Sequence, residues 1–375
     1  MNKILNQREY QICNRCLMDT TDPEIRFDEN GYCNHCTEAL EVGKKVWFPN
    51  EEGERHLREI AKKIKKEGKN NEYDCIIGLS GGVDSSYLAY MAIKNGLRPL
   101  VVHIDCGWNS ELAVKNVENI VNKLNLDLHT HVVDWEAMKE LQLAFLKASV
   151  ANQDIPQDHA IFAALYSFAV KNRIHYVLSG SNFATECILP QSWGYNASDY
   201  RHIKDINRKF GKCKLSHYPH LTFFQRYIYF QFIHRMKIVK FLNLIPYNKE
   251  EAINFLSKEF GWRYYGGKHH ESRFTKFFQV YYLPTKFAYD KKRAHLSSLI
   301  VSGIVTREEA LKEMTSVPSD PNELHADKEY VAKKLDISVN ELDNLIKLPN
   351  KTYRDYKSNE VWFRRGFKIR DYLAR

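Results

Sequence analysis

Residues 73–86 read YDCIIGLSGGVDSS. A short β-rich apolar run ends at Leu79, and helical spacing begins at Val83. The loop Ser80-Gly81-Gly82-Val83-Asp84-Ser85-Ser86 therefore carries the chain from a strand into a helix N-terminus. Two glycines let the backbone approach a phosphate closely, the turn amides and helix N-terminus favour an anion, and the hydroxyls of Ser80, Ser85 and Ser86 can donate to its oxygens. Asp84 would by itself repel that anion, so it acts through Mg2+ or by holding the loop. The Walker loop is a different device, with Gly-Lys-Ser/Thr closing a longer turn. A Ser-Gly turn entering an ordinary helix is the bland alternative, and the strand before and helix after argue against it.

The same alternation continues outward from this loop. β-rich runs at 97–105 (LRPLVVHID), 126–134 (LDLHTHVVD) and 174–180 (IHYVLSG) are separated by helical patterns at 83–95, 111–124, 135–150 and 158–172. Repeated strand-helix units predict an α/β fold, a doubly wound parallel sheet covered on both faces, with ligands at the carboxyl ends of its strands. Asp105 closes the second strand within His103-Ile104-Asp105-Cys106-Gly107-Trp108, one of the strand ends where such sheets bind ligands. Gly180 closes the fourth within Ser179-Gly180-Ser181-Asn182, with Glu186 shortly after.

Upstream, Cys13-x2-Cys16 and Cys33-x2-Cys36 stand sixteen residues apart. Each pair can wrap one side of a tetrahedral ion, and the turn-rich insert folds the second back on the first, so Cys13, Cys16, Cys33 and Cys36 are candidate ligands of structural Zn2+. A segment of roughly forty residues buries too little apolar surface to fold alone, which makes a metal staple physically expected. A redox dithiol pair and an iron-sulfur cluster are the alternatives; His35 reads as a bystander. Residues 1–45 are taken as this knuckle. Residues 46–71, with EEGERHLREIAKKIKKEGK, read as an exposed linker helix ending near Gly68.

The chain has 375 residues, 44% apolar and 13% aromatic, enough for a folded protein of more than one part. It lacks a long uncharged apolar run and a secretion-type leader, which predicts a cytoplasmic protein with no transmembrane segment. Its net charge of +9 suits a polyanionic partner, with a solvated basic surface as the plain alternative.

Residues 72–295 are expected to form the catalytic α/β domain around the Ser80–Ser86 loop, with an aromatic and basic insertion near 200–250. Within it, 222–245 (TFFQRYIYFQFIHRMKIVKFLNLI) reads as a buried helix with one basic edge; a partner or membrane surface is the lesser alternative. Residues 296–375 read as a helical C-terminal subdomain, with capping boxes at Thr306/Glu309 and Ser338/Glu341.

SGGVDSS after a first strand resembles the PP-loop of the ATP pyrophosphatases, a HUP-like class that includes NAD synthetase, asparagine and GMP synthetases and tRNA-thiolating enzymes. The resemblance implies substrate adenylation with release of pyrophosphate. Three further stretches, CNRCLMDTTDPEIRFDENGYCNHC (13–36), GWRYYGGKHHESRFTKFFQ (261–279) and FAYDKKRAHLSSLIVSGIVTREEAL (287–311), resemble, in order, the WbpG-like N-acetyl sugar amidotransferase family. That family converts an acetamido group on a nucleotide-linked sugar to an acetamidino group in lipopolysaccharide O-antigen synthesis. The resemblance implies ATP, Mg2+ and Zn2+ as cofactors and a nucleotide-sugar substrate, a UDP-diacetamido uronic acid. It also implies ammonia from separate glutaminase and barrel subunits resembling HisH/HisF, and no nucleic-acid partner.

The sequence supports an external ammonia supply: Asn2 stands where an N-terminal nucleophile would be, and Gly211-Lys-Cys213-Lys-Leu lacks the second glycine of a nucleophile elbow. The candidate catalytic set is Asp84, Lys268, His270 and Glu271, with Lys292 and Arg293 as cations for the triphosphate, each with a structural role as its alternative. The rival reading is a PP-loop tRNA sulfurtransferase using Cys106 and Cys187. A nucleotide-sensing module without turnover is the non-enzymatic one.

Overall fold

The computed structural model describes residues 8–212, 214–267, 270–315 and 321–363. The knuckle runs into α1 (Asn34–Val46), followed by α2 (Glu51–Gly68). Then come β1 (Cys75–Gly78), α3 (Val83–Lys94), β2 (Pro99–Asp105), α4 (Glu111–Leu124), β3 (Leu128–Val132), α5 (Trp135–Ala148), α6 (Ile155–Lys171) and β4 (Tyr176–Leu178). The five strands are parallel in the order β3-β2-β1-β4-β5, β5 being Lys237–Val239. This is the α/β doubly wound parallel sheet that the alternation predicts. The strand order reverses at β1, so the Ser80–Ser86 loop leaves from the middle of the carboxyl edge.

The strand alternation sorts side chains into two layers. Cys75 and Ile77 face α2, α3, α4 and α9 (Lys249–Phe260), while Ile76 faces the other layer with α5 and α6. α2 is not an exposed linker. Its Leu57, Ala61 and Ile64 are buried in the first layer, because apolar positions recur every three to four residues beneath the charges. β3 also departs from expectation: its residues are mostly exposed, with Val132 at 69%, because it is the edge strand and one face is uncovered.

The 222–245 stretch is not one buried helix. Gln225–Ile233 is a π-helix of which only Phe230 is buried, and Lys237–Val239 forms β5, each residue pairing with β4. Three residues are too few to give a period, so the strand is hidden in the aromatic run.

Between β4 and the π-helix lie α7 (Phe183–Glu186) and α8 (Tyr200–Phe210). The C-terminal part adds α10 (Arg273–Phe277), α11 (Leu283–Phe287), α12 (Lys291–Val301), α13 (Arg307–Met314), α14 (Pro321–Lys334) and α15 (Val339–Ile346). α12 runs across residue 296, where the helical region was expected to begin. Both capping boxes form, at Thr306/Glu309 and Ser338/Glu341. No described helix is long and apolar enough to cross a membrane.

Candidate functional site

β1 ends at Gly78, and Leu79 N–H still bonds to Val102 O before the chain turns. Gly81 takes φ +84°, and a Cβ there would lie 2.3 Å from Ala113 O, so this position requires glycine twice over. Gly82 is the N-cap of α3 and supplies no side-chain cap, so no side chain at that position competes with an anion for the helix start. Ser80 and Ser85 hydroxyls lie 3.2 Å apart, and Ser80 Oγ accepts from Gly82 N–H at 3.2 Å. Ser86 is fully buried, and its hydroxyl has no hydrogen-bond partner. A glycine-only turn at a helix N-terminus and an orphaned buried hydroxyl fit a phosphate chain. ATP would be held by Ser80, Gly81, Gly82, Ser85 and Ser86.

The loop is braced from residues far along the chain. Trp262 Nε1–H donates to Gly81 O at 3.0 Å, and Val83 N–H donates to the Tyr265 phenol at 3.2 Å. Asn116 locks the brace, its amide donating to Arg263 O at 2.8 Å and its carbonyl accepting from Arg263 N–H at 2.8 Å. The Tyr247 phenol donates to Asp84 Oδ1. Burial, then the Asp84 charge, raises the Tyr247 pKa well above its ordinary value, so it stays a donor at neutral pH. Burial first, and then the charges of Glu271 and Asp84, raise the Tyr265 pKa, so it too stays protonated at neutral pH.

Glu271 sits over the same loop, Ser80 Oγ lying 3.5 Å from its Oε1. Its own carbonyl accepts from Ser110 N–H at 2.8 Å, and Ser272 bridges to Asn109, so the segment is stitched to the β2–α4 loop. Asp84 and Glu271 are carboxylates beside the loop that could hold a divalent cation. His270 packs its imidazole against Gly267; Lys268 lies outside the described residues.

Asp105 organises the β2 exit. Its Oδ1 accepts from Gly107 N–H at 2.8 Å and Asn109 Nδ2 at 3.1 Å, while His103 ties that asparagine to Leu79 O. Gly180 brings the β4 exit against the loop: a Cβ there would lie 3.2 Å from the backbone of Asp84 and Ser85. Lys292 and Arg293 are engaged elsewhere. Lys292 Nζ donates to Glu313 O at 2.6 Å, and Arg293 donates to Leu17 O at 2.7 Å and pairs with Asp19 at 3.2 Å. Their placement makes them supports of the knuckle and of α13.

In the knuckle the sulfurs of Cys13, Cys16, Cys33 and Cys36 all lie within 4.8 Å of one another and are fully buried. The Cys13–Cys36 and Cys16–Cys33 separations are 3.8 and 3.5 Å, close to the edge of about 3.8 Å that Zn–S bonds of about 2.3 Å give a tetrahedron. Cys33 N–H and Cys16 N–H donate to Cys13 Sγ at 3.2 and 3.4 Å, the donors a thiolate wants. The cluster could hold a metal ion. His35 stands outside it, bonded to buried Asp22 at 2.5 Å. The C-terminal helices clamp this unit. Arg307 donates to the carbonyls of Cys13 and Cys16 at 3.1 and 3.4 Å, and Ser297 accepts from Leu17 N–H at 3.0 Å.

Tyr247, Trp262, Tyr265 and Asn116 were not singled out from sequence. Trp262 and Tyr265 do fall in the quoted 261–279 stretch, whereas nothing local marks Tyr247 or Asn116.

Residues 271–370 match the family model of the LPS biosynthesis protein WbpG-like, C-terminal domain, and residues 74–213 match that of the queuosine biosynthesis protein QueC. No curated protein matches the sequence. Among solved structures, the chain is similar to NMN synthetase from Francisella tularensis, at 14% identity and TM-score 0.35 over 79% of this chain and 98% of that one. It is also similar to the NH3-dependent NAD synthetase from Campylobacter jejuni, at 17% and 0.31 over 80% and 98%. A third is the U34-tRNA thiolase NcsA from Methanococcus maripaludis with its [4Fe-4S] cluster, at 12% and 0.35 over 92% and 90%.

Proposed function

We propose that this chain, an ATP-using enzyme of PP-loop fold with a WbpG-like C-terminal domain, is an amidotransferase that turns the acetamido group of a nucleotide-linked N-acetyl sugar into an acetamidino group. The observation that carries this reading is the position of Glu271. The first residue matched to the WbpG-like domain lies 3.5 Å from Ser80 of the PP-loop, which supports a reading in which that domain takes part in the ATP site.

The chemistry follows from what an amide lacks. Its carbon resists ammonia because the oxygen leaves poorly. In the proposed step the acetamido oxygen attacks the α-phosphorus of ATP, the bond to the β-phosphate breaks, and pyrophosphate leaves into the Ser80–Ser86 cradle. Ammonia then adds to the activated carbon and AMP departs with the oxygen, leaving the amidine. The protein supplies position and charge neutralisation, through the α3 amides and the Asp84 and Glu271 carboxylates around a cation. Free ammonia is largely protonated at neutral pH, so separate glutaminase and barrel subunits resembling HisH/HisF are the expected source, and a UDP-diacetamido uronic acid the expected acceptor. In this reading the knuckle carries Zn2+ as a structural ion.

Incubation of the protein with ATP, an ammonium salt and UDP-diacetamido uronic acid should yield AMP and a product in which NH replaces one oxygen, read by mass spectrometry. Absence of AMP with every acetamido sugar nucleotide would sink the proposal. The rival, tRNA sulfur transfer, needs accessible thiolates. Cys106 is buried, which pushes its thiol up, and Cys187 points its sulfur at Ser298 O 3.9 Å away. Retained turnover on RNA in wild type and its loss in Cys106→Ser would instead favour the rival.

A further inference from the structure

Two cavities, of about 330 and about 610 Å3, lie along one side of α1 and share His35, Glu38 and Leu189, so they form one continuous groove. Among the α1 residues that line it, His35, Glu38, Val42 and Val46 are spaced three and four apart. They form a single face about 16 Å long at the usual helical rise, the length scale of a sugar joined through a diphosphate to a nucleoside.

The two ends differ in chemistry. The inner cavity is floored by Ser181 and Asn182, which follow directly on Gly180, the residue packed against the Asp84–Ser85 backbone. It therefore opens one strand away from the PP-loop, at the carboxyl edge of β4. Its α1 wall is apolar at the end away from the knuckle, where Val42 and Val46 are 51% and 41% exposed and suit the methyl of an acetamido group, and becomes polar at Glu38 and His35. The outer cavity belongs to the knuckle and carries Arg8 and Arg26. Of the acids on that cavity, Glu24 is held by Arg354 at 3.1 Å, which offsets its charge, and Glu38 lies at the end shared with the inner cavity. The knuckle fixes the wall between the two ends, since His35 is tied to fully buried Asp22, which also accepts from Ser192 at 2.9 Å.

We propose that this groove is the acceptor site. The acetamido-bearing sugar lies over Ser181 and Asn182, and the diphosphate of its nucleotide is held outward by the guanidiniums of Arg8 and Arg26. The metal knuckle is then a substrate-binding wall as well as a fold staple. This rests on the sugar-nucleotide reading above, and its test is kept separate from that reading.

The probe is UDP, titrated calorimetrically into the full chain with the PP-loop saturated by a non-hydrolysable ATP analogue. UDP should bind the wild type. It should bind the Arg8→Ala/Arg26→Glu double variant at least tenfold more weakly, a loss of about 1.4 kcal/mol, while Arg26→Lys retains part of the affinity. Binding of the ATP analogue should not change in either variant. With a sugar nucleotide that turns over, the double variant should raise KM and keep kcat. The groove is overturned if UDP fails to bind the wild type or binds the double variant equally well. Amidine formation by the wild type in that event leaves the reaction standing and removes only the groove. UDP binding lost in the double variant, with no amidine from any acetamido acceptor, keeps a nucleotide-diphosphate site and removes the acetamido chemistry.

Discussion

Tyr247 reaches Asp84 from 163 positions along the chain and fixes how the carboxylate is presented to a cation. Removing that phenol as Tyr247→Phe should leave the fold intact, slow AMP formation about tenfold and raise the Mg2+ concentration needed for half-maximal rate, consistent with loss of one charge-assisted hydrogen bond. Removing the carboxylate or the first hydroxyl, as Asp84→Ala or Ser80→Ala, should slow AMP formation by about a hundredfold or more. Steady-state AMP assays across a Mg2+ series check all three, and an unchanged Mg2+ dependence in Tyr247→Phe would remove the positioning role. Ser80, Gly81, Gly82 and Asp84 were legible because a strand, a turn and a helix start lie within fourteen consecutive residues. Tyr247, Trp262, Tyr265 and Asn116 act across separations of 147 to 182 residues, where no local period carries the information. The basic pair Lys292–Arg293 looked like a phosphate site for the same reason: composition shows the charge, whereas only folding shows that Asp19 has already taken Arg293.

Among elements, α2 gives the sharpest test of layer against linker. A solvated helix would tolerate Leu57→Ala or Ile64→Ala almost freely. Because both side chains are buried at 3% and 0% exposure beneath the sheet, each truncation should instead cost about 2 to 4 kcal/mol, read as a shift in the denaturation midpoint. The period-3.6 pattern of α4 and the serine, threonine and glutamate spacing of the capping boxes were readable because such signals are local. β5 was not, since three residues inside an aromatic run pair with β4 for reasons that belong to the sheet. The knuckle stands between these cases. Its four candidate ligands were plain from spacing, but its docking on α12 and α13 was not. Cys33→Ser should lower bound zinc, measured by elemental analysis, and Arg307→Ala should lower thermal stability with zinc retained. Equal zinc in Cys33→Ser would refute the ligand assignment.

For the molecule as a whole, two buried histidines set the acid limit. His159 donates from Nδ1 to Ala197 O and accepts at Nε2 from Leu221 N–H, which requires the neutral ring. His202 is enclosed by Phe145, Tyr195 and Tyr356. Burial holds both at about 4, below the unfolded value of about 6.5. Between those values the unfolded chain binds protons that the folded one refuses, so stability should fall as pH drops from about 6.5 toward 4, by on the order of 3 kcal/mol for each ring. His202→Phe should flatten part of that slope in urea melts at a series of pH values. The last consequence comes from Arg307, which bonds Cys13 and Cys16 across separations of 294 and 291 residues. On a ribosome adding about 5 to 20 residues per second, the cysteines emerge about 15 to 60 s before the arginine that seats them. During that interval the unit stands without its docking surface, so the knuckle is seated on α13 only after all five strands of the sheet have been synthesised.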